Sequence, residues 1–420
     1  MRRIQSLSIH AAALSLPLAM AACANDSVAS VEAPEEYGTI RAASIIPDQV
    51  TTAVATAERH TCARSSWGYL KCWGYNVDGQ LGIGNNTSTL APTARVNVGQ
   101  GRTVRSVAAG RRHTCAILDN NTLKCWGSNW LGQLGIGTNS DTNAPGPTTN
   151  LGLFRLAKSV TVGNTHTCAI LTDDTVKCWG DNAYGQLGLG AGAGASVNAP
   201  GATVFLGAGR TAKSISTHHQ HTCAVLDNDT LKCWGQNFAG ALGDGTTVDA
   251  FTPGAAVNLG AGRSAKSVSA GHAHTCAVLD NDSIKCWGQN VLGSLGTGTT
   301  VEAHLPGASV NLGAGRSAMA VTAGGEHTCA LLDNSSVKCW GLNASGQLGV
   351  GNTTNLSAPG PAAQLGFLRS AQSVATGGDH TCAVLDNSSL KCWGDNRDGQ
   401  LGLGTTTSEI TVPTTVPNLW

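Results

Sequence analysis

The sequence predicts an all-β fold: a seven-bladed β-propeller with about four short strands in each blade. Three features carry that prediction: a motif that recurs seven times, an apolar/polar alternation inside each recurrence, and a glycine-rich, charge-poor composition. The motif is His-Thr-Cys-Ala, then seven residues, then Lys-Cys-Trp-Gly-x-Asn, then Gly-x-Leu-Gly-x-Gly. Its histidines are His60, His113, His166, His221, His274, His327 and His380, spaced 53 residues apart five times and 55 once. A fixed period of this length marks a repeat architecture, in which each unit buries its apolar face only against its neighbours. Such an architecture lets 420 residues fold without one very large core. With 54 glycines and only 12% charged residues, the chain is rich in turns and poor in the charged faces that surface helices need.

From the N-terminus, residues 1–22 resemble an export signal. Arg2 and Arg3 form a charged start, Ile9 to Met20 is mostly apolar, and Ala21-Ala22-Cys23 follows. Small residues before a cysteine resemble the processing site of a bacterial lipoprotein, which makes Cys23 the expected lipid-attachment residue. The alternative is an ordinary signal peptide. The apolar run is short for a membrane span. Residues 23–46, rich in Ala, Glu and Ser, read as a polar tether without a core. By the same resemblance, Ala24 favours the outer membrane or cell surface, with the periplasm or exterior as the location of an unlipidated form. Residues 47–420 hold the repeats.

Within the second repeat, Thr103–Ala109 alternates apolar and polar as a half-buried strand does. His113–Leu118 follows, then a turn at Asp119–Thr122, where Asp and Asn side chains suit tight backbone geometry. Leu123–Trp126 reads as the third strand. Gly127, Gly132, Gly135 and Gly137 mark a looping segment, with a fourth strand expected near Ala144–Leu151. The extra two residues of the long spacing fall in Gly188–Ala195, as a surface loop allows. Val50–Thr56 matches Thr103–Ala109, and Pro413–Leu419 resembles Pro92–Val98. The ring is therefore expected to close by pairing of the N- and C-terminal strands in one blade, which removes the open edge.

Gly-x-x-His-Thr before the second strand, Trp-Gly-x-Asn after the third, and Gly-Gln-Leu-Gly-x-Gly together resemble the regulator-of-chromosome-condensation repeat. The resemblance covers about residues 50 to 420 and implies a seven-bladed propeller. The family's name-giving members act in guanine-nucleotide exchange and on chromatin, and similar bacterial propellers include secreted enzyme inhibitors. Net charge is zero, so there is no electrostatic footprint for nucleic acid, and no nucleic-acid partner is expected. An exchange-like role rests on the resemblance alone.

Of 15 cysteines, Cys23 stands apart and the other 14 fall two per repeat, ten positions apart. The pairs are Cys62 and Cys72, Cys115 and Cys125, Cys168 and Cys178, Cys223 and Cys233, Cys276 and Cys286, Cys329 and Cys339, and Cys382 and Cys392. Each pair sits on the two arms of one hairpin, near disulfide reach. An exported chain with evenly paired cysteines is expected to oxidise. Disulfides between blades, and zinc held by His-x-Cys with the second Cys, remain alternatives.

No catalytic constellation, metal set or cofactor-binding motif stands out, and the chain is not expected to be an enzyme. The motif histidines and tryptophans read as structural. Function is sought where the repeats differ. The pair after each motif Asn is apolar in units two to five, which makes Trp130, Leu131, Tyr184, Phe238, Val291 and Leu292 partner-binding candidates. A second variable set precedes each motif His and includes Arg111-Arg112, His218-His219-Gln220, Glu326 and Asp379. Arg59, Arg111 and Arg112 read as a solvated basic spot. The leading expectation is an exported scaffold for an unidentified protein partner, held to the membrane through its N-terminal lipid. The alternative is a carbohydrate-binding or hydrolytic propeller of the cell envelope. Hydrolysis would need a carboxylate pair at the central channel, and no repeat is read as placing one there.

Overall fold

The computed structural model describes residues 50–420. The expected signal segment 1–22 and the tether 23–46 with Cys23 lie outside the described residues. Each repeat forms its own antiparallel sheet, giving seven sheets. In the second, Val104–Ala109, His113–Leu118 and Leu123–Gly127 pair in sequence order. The middle strands, from His60–Ser65 to His380–Leu385, start on the motif histidine in every blade.

The fourth strand is slighter than expected. It is a strand only at Ser196–Val197 and Ile410–Thr415. In other blades isolated bridges take its place, such as Gly127 opposite Thr142, with Thr149 N donating to Leu123 O at 2.8 Å. Pro145 and Pro147 explain the break, because proline offers no N–H to a ladder. The inserted residues at Gly188–Ala195 include the short 3₁₀ turn Ala191–Ala193.

Ring closure also departs from the expectation. Ile410–Thr415 pairs with Leu390–Gly394 of the seventh blade, whereas Thr51–Thr56 pairs with His60–Ser65 of the first. The two ends thus lie in neighbouring blades and share no sheet. Each repeat contains all its own strands in sequence order, so none is left to exchange. The seam closes by the side-to-side packing used elsewhere. Ala63 and Trp73 of the first blade bury against Cys382, Val384, Leu390, Leu401, Val416 and Leu419 of the seventh. Trp420 Nε1 donates to Thr51 Oγ1 across it at 2.9 Å.

The alternation along the middle strand explains how one short segment serves two interfaces. Cys115 and Ile117 face the third blade, with Ala157, Leu171 and Trp179. Ala116 and Leu118 point the other way, to the first blade, with Leu70, Leu81 and Val96. Every residue of His113–Leu118 is therefore buried, although the strand is only six residues long.

Polar contacts lock each interface. His113 Nε2 lies 2.8 Å from Thr167 Oγ1 of the next blade. That hydroxyl donates to the backbone carbonyl of Gln133, back in the second blade, at 2.8 Å, and Trp179 Nε1 donates to the same carbonyl at 3.0 Å. The hydroxyl has one proton and gives it to the carbonyl, so the imidazole Nε2 is the donor. The arrangement recurs at all seven interfaces, ending with His380 to Thr61 and Thr61 to Gln400 O. The motif Asn holds the loop that offers the carbonyl. Asn129 Oδ1 accepts from Leu134 N, and its Nδ2 donates to the carbonyls of Thr138 and Ser140. Gly135 is required because a Cβ there would come 2.5 Å from Trp179 Nε1, and its φ of 68° favours glycine.

The cysteines of each pair stand directly opposite in the ladder, as Cys115 does to Cys125, and all seven pairs are joined within their own hairpins. Inter-blade bridges and a thiolate zinc set are thus not what the structure assembles. On the chain-entropy account a loop this short contributes somewhat less than about 3 kcal/mol.

Two outcomes follow from this packing. Deleting Pro413–Trp420 removes Val416 and Leu419 from the seam, and burial of two such side chains is worth roughly 3–6 kcal/mol. A marked fall in melting temperature is expected by calorimetry, and an unchanged melt would show that the seam does not depend on this segment. The second concerns pH. Burial, aided in most cases by a neighbouring imidazole, pushes His60, His113, His166, His221, His274 and His327 down to about 3, and burial lowers His380 to about 4. Unfolded histidine protonates near 6.5, so between these values the unfolded chain binds more protons. Stability is full above about pH 6.5 and falls as pH drops towards 4, and these seven histidines contribute a slope approaching seven protons. Denaturant titrations across that range measure it, and His166→Gln should flatten the slope by about one proton.

Candidate functional site

The turn before each motif histidine and the segment after the third strand leave the blade at the same end. His113 stands opposite Gly127, and Ser128 N donates to Arg112 O at 2.9 Å. Both variable sets therefore share one face of the ring. The pairs after the motif Asn form its outer part, and the turns before the motif His surround the axis.

On the outer part, Trp130, Phe238 and Val291 are 59%, 53% and 59% exposed, and Val77 extends the apolar run into the first blade at 56%. Leu131, Tyr184 and Leu292 are half-buried. Leu131 and Tyr184 are held down because a Gln side chain two positions on captures the N–H, as Gln133 Oε1 does for Leu131 and Gln186 Oε1 for Tyr184, both at 3.0 Å. In the seventh and first blades charges replace this apolar surface and satisfy one another. Arg397 grips Asp395 at 2.9 and 3.0 Å, Arg59 meets Asp398 at 2.6 Å, and Arg112 lies 3.8 Å from Asp78. Burial raises the Asp78 carboxyl, opposed by Arg112. The expected basic spot is thus tied into ion pairs, with Arg111 on Glu58 at 2.6 Å.

At the axis, turns from all seven blades enclose a cavity of about 310 Å³. Its wall includes Glu58, Arg111, Asn164, His218, His219, His272, Glu326 and Asp379. This corrects the expectation that no repeat places carboxylates at the channel. The residues were visible in the sequence, but the inward direction of the turn was not. The rings of His219 and His272 lie 4.1 Å apart. Burial holds His218 well below its ordinary value and His219 at about 4, with His272 adding to both; it also lowers His272, against the pull of Glu326 and Glu58. Burial and then Asp395 raise Asp379. Among the described residues, no three His, Cys, Asp or Glu side chains converge closely enough to hold a metal ion.

The comparisons with known proteins agree with this architecture. The model of the Regulator of chromosome condensation (RCC1) repeat matches residues 68–117, 123–170, 173–225, 231–278, 284–331, 336–384 and 392–419. The chain belongs to the RCC1-repeat family. Among curated RCC1-repeat relatives, the ultraviolet-B receptor UVR8 of Arabidopsis thaliana is 30% identical over 361 residues, covering 85% of this chain and 80% of UVR8. The human E3 ubiquitin-protein ligase HERC2 is 28% identical over 279 residues, 66% of this chain but only 6% of HERC2. Yeast RCC1 (Prp20), solved with Kap60 bound, superposes with a TM-score of 0.73 at 19% identity, covering 88% of this chain and 84% of that one. Human WBSCR16 gives 0.71 at 21% identity, covering 80% and 87%. At these identities the structures establish the shared fold.

The opposite face carries a feature missed in the sequence. Most links between blades read Gly-x-Gly-Arg, but two read Gly152-Leu153-Phe154-Arg155 and Gly366-Phe367-Leu368-Arg369. Phe154 and Leu368 occupy the glycine position with φ of 57° and 54°, and Phe154 and Phe367 are 92% and 90% exposed. The signal was the broken Gly-x-Gly pattern. A left-handed conformation costs a bulky residue roughly 1–2 kcal/mol. Phe154→Gly is therefore expected to hold or raise the melting temperature; a fall would mean that the Phe154 side chain packs in solution.

Proposed function

We propose that this RCC1-repeat chain is an exported, lipid-anchored scaffold that takes a protein partner on the face bearing the apolar arc. The observation that carries the reading is the contrast around that face. Trp130, Phe238 and Val291 stand more than half exposed, whereas the equivalent positions in the seventh blade are charged and paired. Aromatic anchors bordered by polar groups are what protein interfaces use. The family likeness supports it, since yeast RCC1 (Prp20) is solved with Kap60 bound, and Prp20p is described with binding to Gsp1p and histones. Export is supported by the N-terminal pattern and by seven hairpin disulfides, which persist in oxidising compartments.

Affinity capture from envelope extract tests the reading. The wild-type chain should recover a discrete protein, and Trp130→Ala with Phe238→Ala should weaken that complex roughly 30-fold or more with an unchanged melt. Equal capture by the double variant would exclude the arc, and recovery of glycan in place of protein would favour the carbohydrate reading. Cys23→Ala should move the protein from the membrane to the soluble fraction.

A further inference from the structure

Three features coincide at the axial cavity. The first is a departure from the repeat. Three residues before the motif histidine stands glycine in five blades, at Gly110, Gly163, Gly271, Gly324 and Gly377. The reason is steric. A Cβ on Gly271 would come 2.5 Å from His274 Cε1 and 2.8 Å from Gly324 O. The fourth blade places His218 at this crowded position.

The second feature is unpaired polarity. His218 Nδ1 is fully buried on the cavity wall with no hydrogen-bond partner, and the Nδ1 atoms of His219 and His272 are also buried and unpartnered. Leaving one such atom unsatisfied costs about 1–3 kcal/mol. The Nδ1 atoms of His60, His113, His166, His327 and His380 are unpartnered too, so what sets these three apart is that their residues line the cavity. The third is carboxylate charge held by no ion pair, although Arg397 offsets part of it at Asp379. Arg111 neutralises Glu58, but Glu326 and Asp379 on the same wall have no ion pair among the described residues. Asp379 accepts only a long bond, 3.3 Å, from Gln347 Nε2.

We propose that the axial cavity binds an organic cation, an alkylammonium or alkylguanidinium. Its N–H groups would be taken by the Glu326 and Asp379 carboxylates and by the imidazole nitrogens of His218, His219 and His272. Val162 and Leu342 supply apolar wall for an alkyl stem. A cavity of about 310 Å³ has room for a lysine- or arginine-sized group. The lowered imidazoles are neutral at pH 7 and accept hydrogen bonds, and Asp379 is raised by burial and Asp395, with Arg397 opposing. A donor of several N–H groups therefore fits the wall better than a bare metal ion, for which no ligand cluster converges. The site stands whether or not the outer arc binds protein.

Calorimetric titration of the full chain with butylguanidinium and butylammonium tests this, with butyramide as the neutral control. Both cations should bind one per chain, and butyramide roughly 10-fold more weakly or not at all. Glu326→Gln and His218→Gly should each weaken cation binding roughly 10-fold, while Trp130→Ala leaves it unchanged. His218→Gly restores the residue of five other blades, so it should keep the fold, and its melt verifies this. Failure of both cations to bind, or equal binding by His218→Gly or by butyramide, overturns the proposal. An acetylated peptide with a central arginine separates the two sources of such a cation. Tighter binding than butylguanidinium points to a side chain of a protein partner, and weaker binding to a free small molecule; either outcome upholds the site.

Discussion

Each blade is held to the next by one polar relay: an imidazole donates to a threonine, the threonine donates to a loop carbonyl, and an indole donates to that same carbonyl. Much of the repeat consists of conditions for this relay. Asn129 pins the loop so that the Gln133 carbonyl points across the interface, and Gly135 leaves room for the indole. Because the loop contributes only a backbone oxygen, its side chain is free to change. Ala241 and Ser294 occupy the Gln position in two blades, and their carbonyls accept the same bonds at 2.8–2.9 Å. Each buried bond is worth about 1 kcal/mol net, and an orphaned partner would cost more. The relay thus penalises any blade that shifts out of register.

The relay also explains why the histidines are not catalytic candidates. Each Nε2 proton is committed to a neighbouring hydroxyl, and burial keeps the ring neutral until strongly acid pH. Their chemistry is spent on the joint between blades. The disulfides act on a different level, since each closes a single hairpin and none crosses an interface. Covalent staples stabilise the blade, and apolar packing with the relay stabilises the ring.

The blade count, the strand order, the alternation of the middle strand and the hairpin position of the cysteines were legible in the sequence. Each follows from local spacing, and spacing is conserved from one repeat to the next. The interface partners were not legible, because Thr167 and His113 lie 54 residues apart and nothing local ties them. The closure was misjudged for a related reason. Matching segments at the two ends show that every blade has its strands, but do not say which blade receives them. The apolar arc was legible as composition, yet only the structure separates exposed Trp130 from half-buried Leu131. The axial cavity was hidden because Glu58, Glu326 and Asp379 look like ordinary turn residues until seven turns converge.

A ring locked at seven joints is a scaffold on which single blades can depart from the pattern at little risk to the whole. The departures are therefore informative in proportion to what they work against. Trp130 works against nothing, since its position is solvent-exposed in other blades too, and its claim to function rests on neighbours such as Phe238. His218 works against a crowded turn where most blades keep glycine. Phe154 works against a left-handed backbone and exposes its ring. Strain of this kind persists only where surrounding structure holds it in place. The relay supplies that hold, which lets a repeat built for uniformity keep a distinct axial wall on one face and two apolar tips on the other.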